Sequence, residues 1–534
     1  MELLICFIAI IIVICILLNS ASNKIGMPVL LAFIVLGIIF GNNGLIPIQF
    51  QDYSFAEHIS TFALILIMFY GGFGTRWQAA KSAAVPAGLL ASLGVVLTAG
   101  LTGLFCHFVL GWDWIESFLM GSVISSTDAA SVFSILRSRK LGLKNNTAPM
   151  LEIESGSNDP FSYMLTTVML AMLHNGASGP QVLWMIFAQL VFGAGLGVLI
   201  AKISIFGYKR INFSTSGFDS LFIFAVALAA YGIPSLIGGN GYLSAYIVGI
   251  ILGNAEISGK KNLVNFFDGV TGLMQVLIFF MLGLLARPAM MHKVILPALG
   301  IFLFMLIIAR PLSVSSILAP FRKYPFKQQL CVSFGGLRGA SSIVFAIMAT
   351  ISGGAIINND ILNVVFCIVL LSISIQGFAL PIVSKKLDMI DKDADVMKTF
   401  NDFSEETDLH FSQIIINDGN PWLDCMVKDI VIPKNILFCL IIHPDGSSLV
   451  PNGQTILRKG DAVIMCTQAF RSEQAIKLIE REIVKDGPWD GKPIRECSTG
   501  REQIVMIRRG GNNIIPNGNT IVKAGDTLFL NFGR

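Results

Sequence analysis

Charge is what this sequence of 534 residues has least of: Asp, Glu, Lys and Arg make up 13% of it, against about a quarter in a soluble domain. With 54% hydrophobic residues and a mean hydropathy of +0.71, a wholly soluble fold is excluded. The shortage is uneven. Up to Lys386 the chain is a succession of apolar runs, and from Asp388 to Arg534 it has an ordinary globular mix. A membrane domain over 1–386, a linker over 387–404 and a soluble tail are therefore expected. The net charge of +4 says little, because the placement of charge matters more than its sum.

Paired cysteines are missing as well. The nine cysteines stand singly, with no Cys-x-x-Cys pair and no metal-like spacing to the six histidines. That speaks against a disulfide framework or a zinc site, and for a reducing, cytoplasmic side for the tail. Cys6, Cys15, Cys106, Cys331 and Cys367 lie in apolar runs and read as small hydrophobes. No nucleophile–base pair stands out, so neither an enzyme nor a cofactor is expected, and nothing suggests a nucleic-acid partner. The tail has no Gly-x-Gly-x-x-Gly after a strand, which argues against a Rossmann-type nucleotide site. No run of filter carbonyls of the Thr-Val-Gly-Tyr-Gly kind is present, which argues against a cation channel. The N-terminal apolar run lacks the charged start of a signal peptide and reads as a first membrane helix.

What is present is a series of about thirteen candidate spans between residues 3 and 383, the ninth of them, at 240–254, short. The basic residues choose an orientation. One set of alternate loops carries Arg137, Arg139, Lys140 and Lys144, then Arg322, Lys323 and Lys327, then Lys385 and Lys386 among others; the opposite set carries Arg287 and Lys293. The positive-inside rule then puts the N-terminus outside and the tail in the cytoplasm.

Two adjacent spans break the apolar pattern. GSVISSTDAASVFSIL (Gly121 to Leu136) holds Asp128, and PMLEIESGSNDPFSYMLTTVMLAML (Pro149 to Leu173) holds Glu152, Glu154, Asn158 and Asp159. An ionisable group at membrane depth is costly unless it is paired or lines a wet cavity, so four acids there point to movement of a charged species. On a helix Ser155 and Asp159 stack, as do Glu154 and Asn158, and Glu152 aligns with Asp159 seven residues on. Pro160 removes a donor next to Gly156 and loosens that helix. Ser125-Ser126-Thr127-Asp128 fits an interrupted helix, whose freed carbonyls and half-helix dipoles build midplane ion sites, with Asp128 suited to the new N-terminus. A later span contains FGGLRGASS (Phe334 to Ser342). Arg338 keeps its charge and needs a partner; Glu154 or Glu152 can serve. Pairing with Glu154 leaves Asp159 as the uncompensated acid. Arg310 reads as structural, and His58, His107 and His174 as interfacial residues near span ends.

These segments resemble the cation:proton antiporter family that includes NhaP and the Na+/H+ exchangers. The resemblance rests on TDAAS (Thr127 to Ser131), ESGSND (Glu154 to Asp159) and GGLRGA (Gly335 to Ala340), and covers about residues 1–385. The family usually reads Thr-Asp-Pro where this chain has Thr127-Asp128-Ala129, and some relatives carry an acid on the third span where this chain offers Tyr70. The resemblance implies an inverted-repeat bundle with crossing broken helices, a homodimer, in a prokaryotic inner or plasma membrane. It implies Asp159 as the carrier of a monovalent cation or a proton, and Asn158 as the neighbour that holds its geometry. Thr127, Asp128 and Ser155 follow as ion-site groups, and Glu154 with Arg338 as a stabilising ion pair. Because Asn158-Asp159 offers one titratable group, one-for-one electroneutral exchange is expected. K+ is favoured over Na+ or Li+.

The tail repeats itself. LVPNGQTILRKGDAVIM (Leu449 to Met465) recurs as IIPNGNTIVKAGDTLFL (Ile514 to Leu530), and NDGNPW (Asn417 to Trp422) as KDGPW (Lys485 to Trp489). Short apolar strands between Asn-Gly and Gly-Asp turns predict two small β-rich, α+β units, at 405–480 and 481–534. Ala469 to Glu482 reads as a helix between them. The tail resembles tandem copies of the C-terminal domain of regulators of K+ conductance, which implies a dimerising or ligand-sensing module. Its ligand would be a small nucleotide or an ion.

Overall fold

The computed structural model describes residues 2–25, 29–41, 50, 52–75, 77, 81, 83–139, 141–211, 217–257, 259–391, 409–432, 436–468, 478–483, 487–497, 502–509, 512–514 and 516–532. The chain divides into two compact units, Met1–Ser404 and Glu405–Arg534.

The first unit is helical. Its helices are α1 (Glu2–Ile25), α2 (Val29–Phe40), α3 (Tyr53–Gly74), α4 (Ala84–Leu110), α5 (Trp114–Val123), α6 (Ala129–Ser138), α7 (Thr147–Asn175) and α8 (Gly179–Arg210). They continue as α9 (Phe218–Leu236), α10 (Gly241–Gly253), α11 (Lys260–Leu285), α12 (Pro288–Leu318), α13 (Phe326–Phe334), α14 (Ala340–Gly353) and α15 (Ile361–Lys386). Among the described residues seven helices are long and apolar enough to cross a membrane. Polar caps start several of them: Asp52 accepts from Phe55 N (2.9 Å), Asn240 from Leu243 N (3.0 Å) and Asp360 from Asn363 N (3.2 Å).

Among the described residues three helices contain a π segment: Leu90–Gly94 in α4, Met305–Ala309 in α12 and Ser372–Gln376 in α15. Helix α10 lies against α3 with backbones nearly touching. A Cβ on Gly249 would collide with the Phe69 carbonyl, and one on Gly72 with the Tyr246 carbonyl. In a bilayer, small residues at such crossings let dispersion and packing hold helices together.

The expected interruption at Ser125-Ser126-Thr127-Asp128 is present: α5 ends at Val123 and α6 begins at Ala129. A second interruption separates α13 from α14 over Gly335–Gly339. The two meet, with Asp128 N donating to the Leu337 carbonyl at 2.8 Å. Helix α7, by contrast, runs unbroken through Pro160.

Past α15 the chain does not leave as a plain linker. Ile390–Asp391 (β2) pairs antiparallel with Gly142–Leu143 (β1), in the turn between α6 and α7. Lys144 N donates to Met389 O (2.9 Å), Lys144 Nζ bridges to Asp388 (3.0 Å), and the Met389 side chain is buried with Leu136, Leu143 and Met150. The rest of the expected linker, 392–404, lies outside the described residues.

The described residues of the second unit form two four-stranded antiparallel sheets of one design. Strands β3 (Leu409–Ile415), β4 (Ile436–Ile442), β5 (Ser448–Leu449) and β6 (Ala462–Gln468) are ordered β3-β6-β4-β5. Strands β7 (Leu478–Glu482), β8 (Glu502–Arg509), β9 (Asn512–Ile514) and β10 (Thr527–Phe532) are ordered β7-β10-β8-β9. The sequence repeat is thus a structural repeat. The helix expected over Ala469 to Glu482 is corrected at its end: 478–482 is a strand hydrogen-bonded along β10, while 469–477 lie outside the described residues. The second copy accordingly starts ahead of the boundary expected at 481. In each copy a buried aspartate of the Gly-Asp turn accepts a backbone N–H, Asp461 from Arg458 and Asp526 from Lys523 (both 2.8 Å). Its partner differs: His443 Nδ1 lies 2.7 Å from Asp461, whereas Arg509 grips Asp526 with Nε (2.7 Å) and Nη2 (2.6 Å).

Candidate functional site

Breaking a helix strands carbonyls at the end of one half and N–H groups at the start of the other, with partial charges of about half a unit at each end. Both ends are answered here. At the start of α6 the Asp128 carboxylate accepts from Ser131 N (3.2 Å) and Ser131 Oγ (2.6 Å). Gly339 makes this possible, because a Cβ there would overlap the Asp128 carboxylate. At the end of α5, Arg338 Nη1 donates to the carbonyl of Ser125 (2.8 Å) and to that of Ser126. The Arg338 backbone is held in turn by Ser372 Oγ (3.0 Å), which donates to Gln376 Oε1 (3.1 Å). Both residues come from the π segment of α15.

Helix α7 presses its polar face onto the first interruption. Ser155 Oγ donates to the Thr127 carbonyl (2.7 Å), Asn158 Nδ2 to Thr127 Oγ1 (2.6 Å) and Ser162 Oγ to the Ser122 carbonyl (2.6 Å). Ser126 Oγ donates to an Asp159 carboxylate oxygen and lies 3.0 Å from both Asn158 Oδ1 and Ser341 Oγ. All these side chains are buried, Asp159 with 5% exposure. Among the described residues no lysine or arginine lies within ion-pair distance of Asp159. A buried carboxylate in contact with the Ser126 hydroxyl, with Asn158 Oδ1 and Ser341 Oγ beside that hydroxyl, offers oxygen ligands to a hard monovalent cation, or a base to a proton.

The expected Glu154–Arg338 pair is corrected. Glu154 pairs with Arg310, both nearly inaccessible, and Arg338 is spent on the carbonyls of the interruption. The physical reason is the course of α12, whose π segment Met305–Ala309 directly precedes Arg310 and delivers it to α7. The structural part foreseen for Arg310 fits this place.

The transmembrane family described as Sodium/hydrogen exchanger matches residues 9–386, well over half of the chain. The chain belongs to the sodium/hydrogen exchanger family. The TrkA-C domain family matches residues 478–530, the second sheet of the tail. Over 475 residues the exchanger is 33% identical to a protein of Alkalimonas amylolytica named K(+)/H(+) antiporter NhaP, covering 88% of this chain and 82% of that one. It is 31% identical to one of Shewanella oneidensis named K(+)/H(+) antiporter NhaP2, over 87% of this chain and 81% of that one. In structure it is similar to the sodium proton antiporter MjNhaP1 of Methanocaldococcus jannaschii, with TM-score 0.64, 25% identity, and coverage of 72% of this chain and 99% of that one.

The structure of this exchanger brings together Thr127, Asp128, Ser155, Asn158 and Asp159, the residues singled out in the sequence. Ser126, Ser131 and Ser341 were not singled out as site groups, though each lies inside or beside one of the three motifs. Ser372 and Gln376 carried no sequence signal, because two polar residues in an apolar span are unremarkable until a π segment turns them inward. Glu152 is half-buried one turn before Gly156, and Tyr70, standing where some relatives have an acid, donates to Asp268 Oδ1 at 3.4 Å.

Proposed function

We propose that this protein is a secondary-active monovalent cation:proton antiporter carrying out electroneutral K+/H+ exchange, with Asp159 alternately binding cation and proton. The observation that carries the reading is Asp159 itself, a buried carboxylate set among hydroxyls at the meeting of two interrupted helices, with no basic partner among the described residues. Thr127, Asp128, Ser155 and Asn158 complete the cation site. Asp128 and Arg338 neutralise the helix ends, and Glu154 and Arg310 neutralise one another, so the occupant of Asp159 decides the charge of the site. A cation and a proton cannot both neutralise one carboxylate; loading one expels the other. If only the neutralised site reorients, exchange is obligatory and one-for-one.

The choice of K+ is supported by relatives named K(+)/H(+) antiporter that align along the membrane domain and the tail together. Sodium is the second reading, favoured by the likeness of the membrane domain to a sodium proton antiporter. The architecture we propose is thirteen spans in an inverted repeat, a homodimer in a prokaryotic inner membrane, with the N-terminus outside and a cytoplasmic tail that biases transport on binding an ion or small nucleotide. The test is dissipation of a pH gradient in proteoliposomes given K+, Na+ or Li+ in turn, with and without a membrane-potential clamp. A response to K+ alone, indifferent to the clamp, is the expected result. A response to Na+ and Li+ makes it a sodium exchanger, and clamp sensitivity removes electroneutrality.

A further inference from the structure

Asp159 has two flanks along α7, and they differ. One turn towards Asn175, Tyr163 packs against Tyr242 (ring centroids 4.9 Å apart) and Phe345 (5.9 Å), and Tyr242 against Tyr231 (4.9 Å). That flank is closed by rings. Towards Asn146, Glu152, Gly156 and Asp159 form one stripe, spaced four and three residues apart, and Glu152 is half-buried. The middle position of the stripe has no side chain, and Tyr246 of α10 occupies the space. A Cβ on Gly156 would stand 2.8 Å from the ring and 3.0 Å from the hydroxyl oxygen. Tyr246 is 3% exposed, and among the described residues its hydroxyl has no partner at full hydrogen-bond geometry, with the Ser157 and Thr75 hydroxyls beside it. Pro160 adds to this, since it has no N–H to give the Gly156 carbonyl.

A buried hydroxyl without a partner costs about 1–3 kcal/mol, and a phenylalanine would fill the same space without that cost. We propose that Tyr246 lends its hydroxyl oxygen to the monovalent cation between Glu152 and Asp159, and so sets cation affinity on the side from which the tail emerges. The inference rests on the reading of Asp159 as the transport carboxylate. Helix α10 packs along α3, whereas the ion ligands sit on α7 and in the interruption between α5 and α6. Tyr246 is then the contribution of the facing helix pair to the path of the ion.

The experiment compares wild type with Tyr246→Phe and Gly156→Ala, as full chains in proteoliposomes, reading KM and maximal rate for K+ and Na+. The half-saturating cation concentration for thermal stabilisation of the purified proteins is read beside them. The expected result for Tyr246→Phe is a KM raised about fivefold, the worth of one polar contact, with the maximal rate kept and the half-saturating concentration raised alike. Gly156→Ala, whose methyl displaces the ring, is expected to move KM in the same direction. An unchanged KM in Tyr246→Phe while wild type exchanges normally overturns this proposal alone, as does a fall in maximal rate at constant KM. Wild type inert to every cation overturns the antiport reading and this proposal with it.

Discussion

At the scale of single residues the membrane unit separates charges that are spent from one that is not. Asp159→Asn keeps the shape and the Ser126 contact but cannot exchange a proton; the expected outcome is loss of cation-dependent proton flux with an unchanged elution profile. Glu154 and Arg310 are spent on each other. Removing one partner of a buried pair costs about 3–5 kcal/mol because the other is left charged and alone, and replacing both with apolar residues recovers much of it. Glu154→Gln is therefore expected to lower the unfolding temperature, and Glu154→Leu with Arg310→Met to restore most of the loss. In the tail, the Arg509 guanidinium hydrogen-bonds Asp526 and holds its carboxyl below the usual carboxylate range. A depressed folded-state value stabilises above the unfolded value of about 3.9, and that stability is lost as pH falls through the folded value. The protection factors of β10 amides are expected to fall at acid pH in wild type, and to be lowered already at neutral pH in Arg509→Ala.

At the scale of elements, the interruptions of the two broken helices and the glycine contacts decide the architecture. Substituting Gly249 by Val drives methyls into the Phe69 carbonyl; overpacking of this kind costs about 1–3 kcal/mol, to be read as a lower unfolding temperature of the purified protein. The interruption at Ser125–Asp128 was legible, because a run of serines, threonine and aspartate is out of place inside an apolar span; the one at Gly335–Gly339 was not read from its residues, which stood out only for an arginine in need of a partner. The pairing of arginines was not legible. Charge rules say that Arg338 and Arg310 need partners but not which acid each reaches, and the π segments that aim Arg310, Ser372 and Gln376 leave no mark in an apolar sequence. The end of the expected tail helix failed for a related reason: Leu478 to Glu482 suits either state locally, and pairing with β10 decides it.

At the scale of the whole molecule the shift in polarity of the sequence separated a membrane unit from a duplicated tail. It misjudged the joint, because residues 387–391 look like the start of a linker and are packed. Chains stopped after Lys386 and after Asp391 should therefore differ. The shorter one loses the burial of Met389, worth about 1.5–3 kcal/mol, and is expected to unfold at a lower temperature. The longer one is expected to exchange ions at full rate without tail control. The joint also fixes where the end of the membrane unit is held. Asp391 is laced to the two residues that lie between α6, one half of the interrupted helix, and α7, the helix of Asp159. A displacement of β2 would therefore be felt first at the ends of the two helices that carry the site.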